Sequence, residues 1–559
     1  MSELIKDIKY FWSRKCFAIG IPLMMALSYC TLLLNPTVGI DDTALKVYFV
    51  DGVSPATGRW CLYLINKLLP LDYNPYFVEA LGLVFFCLSV TLWCVVFYRI
   101  LGERLSVWAY TIAAAAMLSS PMISEVAVWY LQNGLFLGYG ACAAAVLMGM
   151  ESLRAGGRFS FKKRFFRIFL CAVFAAVAAG FYESFMLVFL MGMVMAFWLV
   201  RVTDCREYEK KPLSWILNVL GACVLGMLLR AAVTGFLTAA FHLEEQKHVL
   251  KDRGLSEILE GILSWFSPQG REELVYVLKD FFVKYYLNAV VYLPVMVLVL
   301  SVLVVLFFSI RYAAGKRDGW VLAAGAGIIL LPWVLPVMER VATYYRSSQY
   351  VPLITAFAVL LIAWEIRNVK RLPVRAAASL AAFVLLYRQS YEMNQWFYVD
   401  AMKYEDTKRT MENVALYLQA NCDTSKPVCV IGSYQTPESL ISQAYCPEWS
   451  KKYTLIKFLV EGLSPELFET YNSPEGYAFA ETPRLSFINW GATAFYGFDR
   501  ELISFWSMHG FSFTEDGNLE HYAQARELMQ DEPAWPKEGS VVELEEYIVV
   551  NFGNVETGE

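Results

Sequence analysis

Apolar runs and short polar breaks alternate along roughly the first 390 residues, and each run is long enough to cross about 30 Å of hydrocarbon as a helix rising 1.5 Å per residue. The pattern predicts about eleven spans. They cover approximately Phe17–Leu34, Tyr76–Tyr98, Leu105–Ser119, Asn133–Met150, Ile168–Phe181 and Phe185–Val200. Then come Trp215–Phe241, Ala289–Ile310, Trp320–Met338, a segment ending near Trp364, and Ala376–Tyr387. From Tyr391 onward no apolar run is of spanning length, and Pro, Asn, Glu and Ser return. Residues 391–559 therefore predict a separate water-facing unit. Strand-like Pro427–Gly432, a helix near His521–Met529 and a hairpin over Ser540–Phe552 give it a small α/β character.

Basic residues fix the sidedness. The breaks holding Arg99 and Arg104, Arg154 to Arg167, Arg201 to Lys211, Arg311 to Arg317, and Arg367 to Arg375 are rich in Lys and Arg, and they alternate without interruption with less basic ones. By the positive-inside rule the N-terminus and these breaks lie in the cytoplasm, and residues 391–559 lie outside the cell. The basic segment Met1–Lys15 ahead of the first span, with no small-residue cleavage pattern after it, reads as a retained signal anchor. Span and tail together predict a polytopic α-helical membrane protein, residues 1–390, with an extracytoplasmic α/β domain, residues 391–559.

Composition agrees with this and removes other classes. Of 559 residues 57% are hydrophobic and 18% charged, against about 25% charged in soluble domains, and the mean hydropathy is +0.43. Four histidines and twelve cysteines scattered mostly through apolar runs show no metal-ligand spacing. There is no Walker loop or dinucleotide fingerprint, no DxD in a cytoplasmic domain, and nothing that calls for a nucleic acid partner. The partners that composition requires are lipids of the bilayer.

The candidate chemistry gathers at the outer ends of the spans. Asp41 and Asp42 follow the first span and precede Gly58-Arg59-Trp60. Glu125 follows Ser120-Pro121, Glu183 lies in the tip Tyr182-Glu183-Ser184, and Arg340 and Arg346 bracket the start of the tenth span. A carboxylate can take the proton of an attacking hydroxyl. A guanidinium makes paired, charge-assisted bonds to phosphate oxygens. Arg230, inside the seventh predicted span, needs a partner or a wet cavity. Spacing alone leaves open whether the acidic pair is simply solvated, and aromatics such as Trp60, Trp129 and Tyr182 are equally what an interfacial belt provides.

In order and topology these motifs resemble one family. Asp41-Asp42, Gly58-Arg59-Trp60, Ser120-Pro121 with Glu125, Phe181-Tyr182-Glu183-Ser184, Arg346 ahead of Pro352, and the tail segments Trp396–Asp400 and Trp535–Ser540 are similar to the serotype-converting O-antigen glucosyltransferases, integral membrane proteins of bacteria. The chain departs from that pattern in having Glu183 where a glutamine is expected, and Val-Ala-Val after Glu125.

The resemblance implies a GT-C type fold in the bacterial cytoplasmic membrane. It also implies an undecaprenyl-phosphate-linked sugar, a hexose such as glucose, as donor, and a cell-surface polysaccharide or teichoic acid as acceptor. Carried over, it makes Asp41 or Asp42 the catalytic carboxylate, and Arg59 and Arg346 phosphate or substrate contacts; Glu125, Tyr182, Glu183 and Arg340 complete the expected substrate site. No cofactor is required; two carboxylates without histidine permit a magnesium or manganese ion without demanding one. Two rivals from other classes are a flippase for lipid-linked glycans, which predicts repeats between halves and ionisable groups at mid-membrane, and a non-catalytic scaffold with a glycan-binding outer domain.

Overall fold

The computed structural model describes residues 2–38, 58–68, 75–128, 134–154, 161–241, 263–288, 292–343, 345–432, 434, 436–437, 454–471 and 499–553. Each of the eleven expected segments falls on a helix. These are α2 (Lys15–Leu34), α4 (Pro75–Leu101), α5 (Val107–Leu118), α7 (Phe136–Ser152), α8 (Phe161–Phe181) and α9 (Phe185–Val202). After them come α10 (Pro212–Ala240), α12 (Tyr292–Lys316), α13 (Gly319–Leu330), α15 (Val351–Ile366) and α16 (Leu372–Asn421). Among the described residues seven helices are long and apolar enough to span a bilayer, or eight when a bent pair is taken as one span. α7 and α15 are shorter apolar helices.

Small helices fill the remaining positions. α1 (Ser2–Trp12) lies on the basic end of α4, where Arg99 pairs with Asp7 at 2.5 Å and with Glu3 and Glu151 at 3.2 Å. One face of α3 (Trp60–Leu68) docks on α8. Trp60 to Tyr63 are buried while Leu68 is exposed. A side chain at Gly180 would put its Cβ 2.7 Å from the Trp60 ring, so a residue without a side chain is what lets α3 approach. α8 and α10 meet in the same way, with a Cβ at Gly226 falling 3.1 Å from the Ala172 carbonyl oxygen. Lipid offers no hydrophobic drive between helices, so close backbone contact of this kind supplies the packing.

One expectation changes. The break between the third and fourth expected spans reads as an acidic outer loop, but from Ser120 to Glu125 it is a 3₁₀ turn, Pro121–Ile123, running into the one-turn helix α6 (Ser124–Ala127). Every residue of that stretch is buried, and the pair is bent by 43° from α5. Pro121 lacks the N–H that would continue α5, so the chain turns back into the bundle rather than out to water. Residue 390, where the two expected units meet, lies within α16, a single helix of 50 residues. Hydropathy drops at Tyr391, but the Glu, Met, Gln, Lys and Ala that follow are strong helix formers, so the backbone continues unbroken.

Beyond α16 a three-stranded sheet has the order β1-β3-β2. β1 (Val428–Ile431) runs parallel to β3 (Ile548–Asn551), and β2 (Val541–Glu543) pairs antiparallel with it. One face packs on Met411, Val414 and Leu418 of α16 and on Trp506 of α19 (Asp499–Met508). The other packs on Ala525 and Met529 of α20 (Leu519–Met529). The remaining helices are α11 (Pro268–Phe282), α14 (Val334–Glu339), α17 (Thr454–Leu463) and α18 (Pro465–Tyr471).

Candidate active site

Asp41 and Asp42 lie outside the described residues, as do Trp129 and Tyr130. The segments flanking the acidic pair are described, and both are anchored. On one side Thr37 is buried and its hydroxyl donates to Asp400 of α16 at 2.6 Å. On the other, Gly58 adopts a left-handed φ of +80° and leads directly into Arg59 and α3.

Arg59 enters a compact charged group. Its guanidinium lies 4.3 Å from the centre of the Tyr182 ring, and its Nε is 3.8 Å from Glu183 Oε2. That Nε–H is buried and has no hydrogen-bond partner among the described residues. From the neighbouring helix Arg230 brings Nη2 to 2.5 Å from Glu183 Oε1. The arginine that sequence left without a partner thus finds one on the tip between α8 and α9. Gly58 is what admits it: a Cβ there would sit 2.2 Å from Arg230 Nη2. Two guanidinium groups held around one half-exposed carboxylate, over an aromatic face, can receive an anionic group and a sugar ring side by side.

A second group adjoins the first. Glu125 is fully buried, its Oε2 accepts from the backbone N–H of Arg346 at 2.8 Å, and its Oε1 lies 3.4 Å from the Arg346 guanidinium. Three residues on, Gln349 accepts a hydrogen bond from Ser184 at 2.7 Å and its carbonyl accepts from Tyr139 at 2.9 Å. Ser184 follows Glu183 in the chain, so this bond joins the two groups. The Gln349 side-chain N–H₂ has no partner among the described residues. Tyr285 reaches the same segment, hydrogen-bonding the Ser348 hydroxyl and donating to the Thr343 carbonyl at 3.0 Å.

Of the expected site residues, the structure brings together Arg59, Tyr182 and Glu183, and through Ser184 and Gln349 sets Glu125 and Arg346 beside them. Arg340 goes elsewhere: it lies 5.0 Å over the Trp265 ring and donates to Ser264. Arg230, outside the expected site, joins it through Glu183. Glu79, 1% exposed one turn into α4, went unnoticed. The reasoning that singled out Arg230, an ionisable group in an apolar helix, would have found it. No cluster of three or more His, Cys, Asp or Glu able to hold a metal occurs among the described residues.

Acid and guanidinium groups thus gather among helices of which seven, among the described residues, are long and apolar enough to cross a membrane. Residues 30–363, more than half of the chain, match the family model for glucosyl transferase GtrII, and the chain belongs to that family. The match contains every expected site residue. The likeness to serotype-converting glucosyltransferases drawn from the motifs is therefore shown. No curated protein matches the chain. Among solved structures it is similar to the oligosaccharyltransferase AglB of Archaeoglobus fulgidus, in complex with an inhibitory peptide and a dolichol-phosphate. The TM-score is 0.34 at 11% identity, over 70% of this chain and 58% of that one. The chain thus spans less than two thirds of that protein's length.

Proposed function

We propose that the protein transfers a hexose, glucose by its family, from an undecaprenyl-phosphate donor to a cell-surface polysaccharide or teichoic acid. The reaction is placed at the outer face of the bacterial cytoplasmic membrane, with about eleven spans in residues 1–390 in a GT-C-like arrangement. Residues 391–559 are the extracytoplasmic unit. The observation that carries this reading is the group of Arg59, Arg230, Tyr182 and Glu183, two guanidinium groups around one half-exposed carboxylate beside an aromatic face.

In the proposed reaction an acceptor hydroxyl attacks the anomeric carbon of the donor. The carbon–oxygen bond to the polyprenyl phosphate breaks as the new glycosidic bond forms. Asp41 or Asp42 takes the hydroxyl proton, and the leaving phosphate keeps the electron pair of the broken bond. A phosphate diester becoming a monoester gains negative charge, which is where preorganised guanidinium donors contribute most. Arg59 and Arg230 are assigned to that phosphate. Glu183 orients both, and Tyr182 offers the sugar a face to stack on. Glu125 and Arg346 position the segment bearing Gln349. The single displacement inverts the anomeric centre and needs no acid for the leaving group.

The test is the composition and linkage of surface polysaccharide in a knockout strain. It is complemented with wild type, Asp41→Asn, Asp42→Asn or Arg59→Gln at matched membrane levels. The proposal expects one side-chain sugar to be lost in the knockout, restored by wild type, and not restored by Arg59→Gln or by at least one of the aspartate variants. Full restoration by all three variants would overturn it.

A further inference from the structure

Two cavities meet at the basic end of the bundle, where Arg201, Lys210, Lys316 and Arg317 gather. The first is a groove of about 260 Å³ between α9, α10 and α13, lined by Phe197, Ile216, Leu220, Trp320, Ala323 and Gly327 among other apolar side chains. It opens because α10 packs along α8 and touches α9 only sparsely, while α13 presents small residues. Ile216 and Leu220 are 44% and 55% exposed, so the groove faces the lipid.

The second cavity, about 430 Å³, is polar and begins where the first ends, since Trp320 lines both. Its charged lining is Arg201, Lys210, Lys316 and Arg317 against Asp204 and Asp318. Arg201 is held by Asp318 at 2.6 Å, and Lys210 and Lys316 share Asp204. Arg317, exposed in the turn between α12 and α13 at a left-handed φ of 51°, makes no ion pair among the described residues.

We infer that this pair of cavities is a binding site for an anionic phospholipid, one acyl chain in the groove and the headgroup phosphate among Arg317, Lys210 and Lys316. The argument is charge complementarity joined to continuity. A cavity with four cations and two carboxylates favours an anion, and an apolar groove sharing a wall with it favours an anion attached to a hydrocarbon chain. Trp320 sits at the junction, where an amphipathic indole meets both phases. Since bulk lipid satisfies the groove as well as any acyl chain does, selectivity must come from the headgroup. The site lies on the face that the positive-inside pattern assigns to the cytoplasm, and it is independent of the proposed sugar transfer.

The full-length protein in mild detergent, exchanged into dioleoyl-phosphatidylglycerol, dioleoyl-phosphatidylethanolamine or inorganic phosphate, is read by native mass spectrometry. Phosphatidylglycerol should remain bound at least tenfold more than phosphatidylethanolamine. Arg317→Gln and Lys210→Gln should each reduce its retention by roughly fivefold, in line with the attraction of one basic residue near an anionic surface. Gly327→Phe, which fills the groove at a position where a Cβ meets only Val194 at 3.5 Å, should remove the lipid. Equal retention of the two lipids, or full retention in Gly327→Phe, would overturn the proposal. So would equal binding of inorganic phosphate, which would make this an ion site only. Arg317 is exposed, so its variant tests the headgroup without disturbing the fold.

Discussion

Replacing Gly58 by alanine isolates the contribution of Arg230 without touching it. The backbone there has φ of +80°, a region that costs an L-residue about 1–2 kcal/mol. The added methyl would lie 2.2 Å from Arg230 Nη2. The atom it strikes is the end of a flexible side chain, so the fold survives and Arg230 swings away from Glu183. A charge-assisted hydrogen bond contributes about 1.5–3 kcal/mol. If the guanidinium stabilises the developing phosphate charge, the loss should resemble that of an oxyanion donor, about 10²- to 10³-fold in kcat. The assay is sugar transfer by purified protein in liposomes, beside a thermal melt of the same sample. The decisive feature is coupling. Gly58→Ala and Arg230→Ala should each lower kcat by this factor, and the double variant should be no worse than Arg230→Ala alone, because both remove one interaction. Wild-type kcat in Gly58→Ala, or multiplied losses in the double variant, would refute the reasoning.

Other outcomes follow from the same structure. Glu125→Ala removes one member of a fully buried pair and should destabilise the protein by about 3–5 kcal/mol, whereas Glu125→Gln, still able to accept from the Arg346 N–H, should cost less, both read from thermal melts. Glu392, buried on α16 beyond the last apolar run, has its carboxyl raised by burial to about 7, with Arg388 and Trp396 only partly opposing. A raised carboxyl binds its proton in the native state first, so stability declines as pH rises from about 4.5 to 7, and the full cost of about 3 kcal/mol is present above that window. Glu392→Gln should therefore melt higher than wild type at pH 8 and close to it near pH 4.5; equal differences at both pH values would contradict this. Gly226→Leu should push α10 off α8, because its Cβ would already press the Ala172 carbonyl, and should lower the melting temperature and weaken the Arg230–Glu183 pair together.

Hydropathy made the helices legible because it reports which stretches meet lipid, and the expected segments fall on helices, the ninth on α13 and α14 in succession. It does not report backbone conformation. Hence the boundary expected at Tyr391 marks a drop in hydropathy, across which the helix α16 continues. Glu125 misled for a related reason: an acidic residue near Pro121 reads as loop, yet the chain folds inward and pairs it with Arg346, 221 positions away. Arg230 was legible as a residue in need of a partner, but which carboxylate supplies one depends on how α8, α9 and α10 pack. The stack of Arg59 on Tyr182 and the Ser184–Gln349 bond join distant segments and leave no local periodicity to read.

The central claim is the proposal that a lipid-phosphate sugar donor is cleaved at the group built from Arg59, Glu183 and Arg230, with Asp41 or Asp42 as the base. Purified protein in liposomes, given radiolabelled undecaprenyl-phosphate glucose and the polysaccharide from the knockout strain, tests it directly when wild type, Asp41→Asn, Asp42→Asn and Arg230→Gln are compared. Label should pass to the polysaccharide with wild type. It should fall at least a hundredfold with Arg230→Gln and with one of the aspartate variants. Transfer at the wild-type rate by all three variants, or none by wild type, would contradict the account.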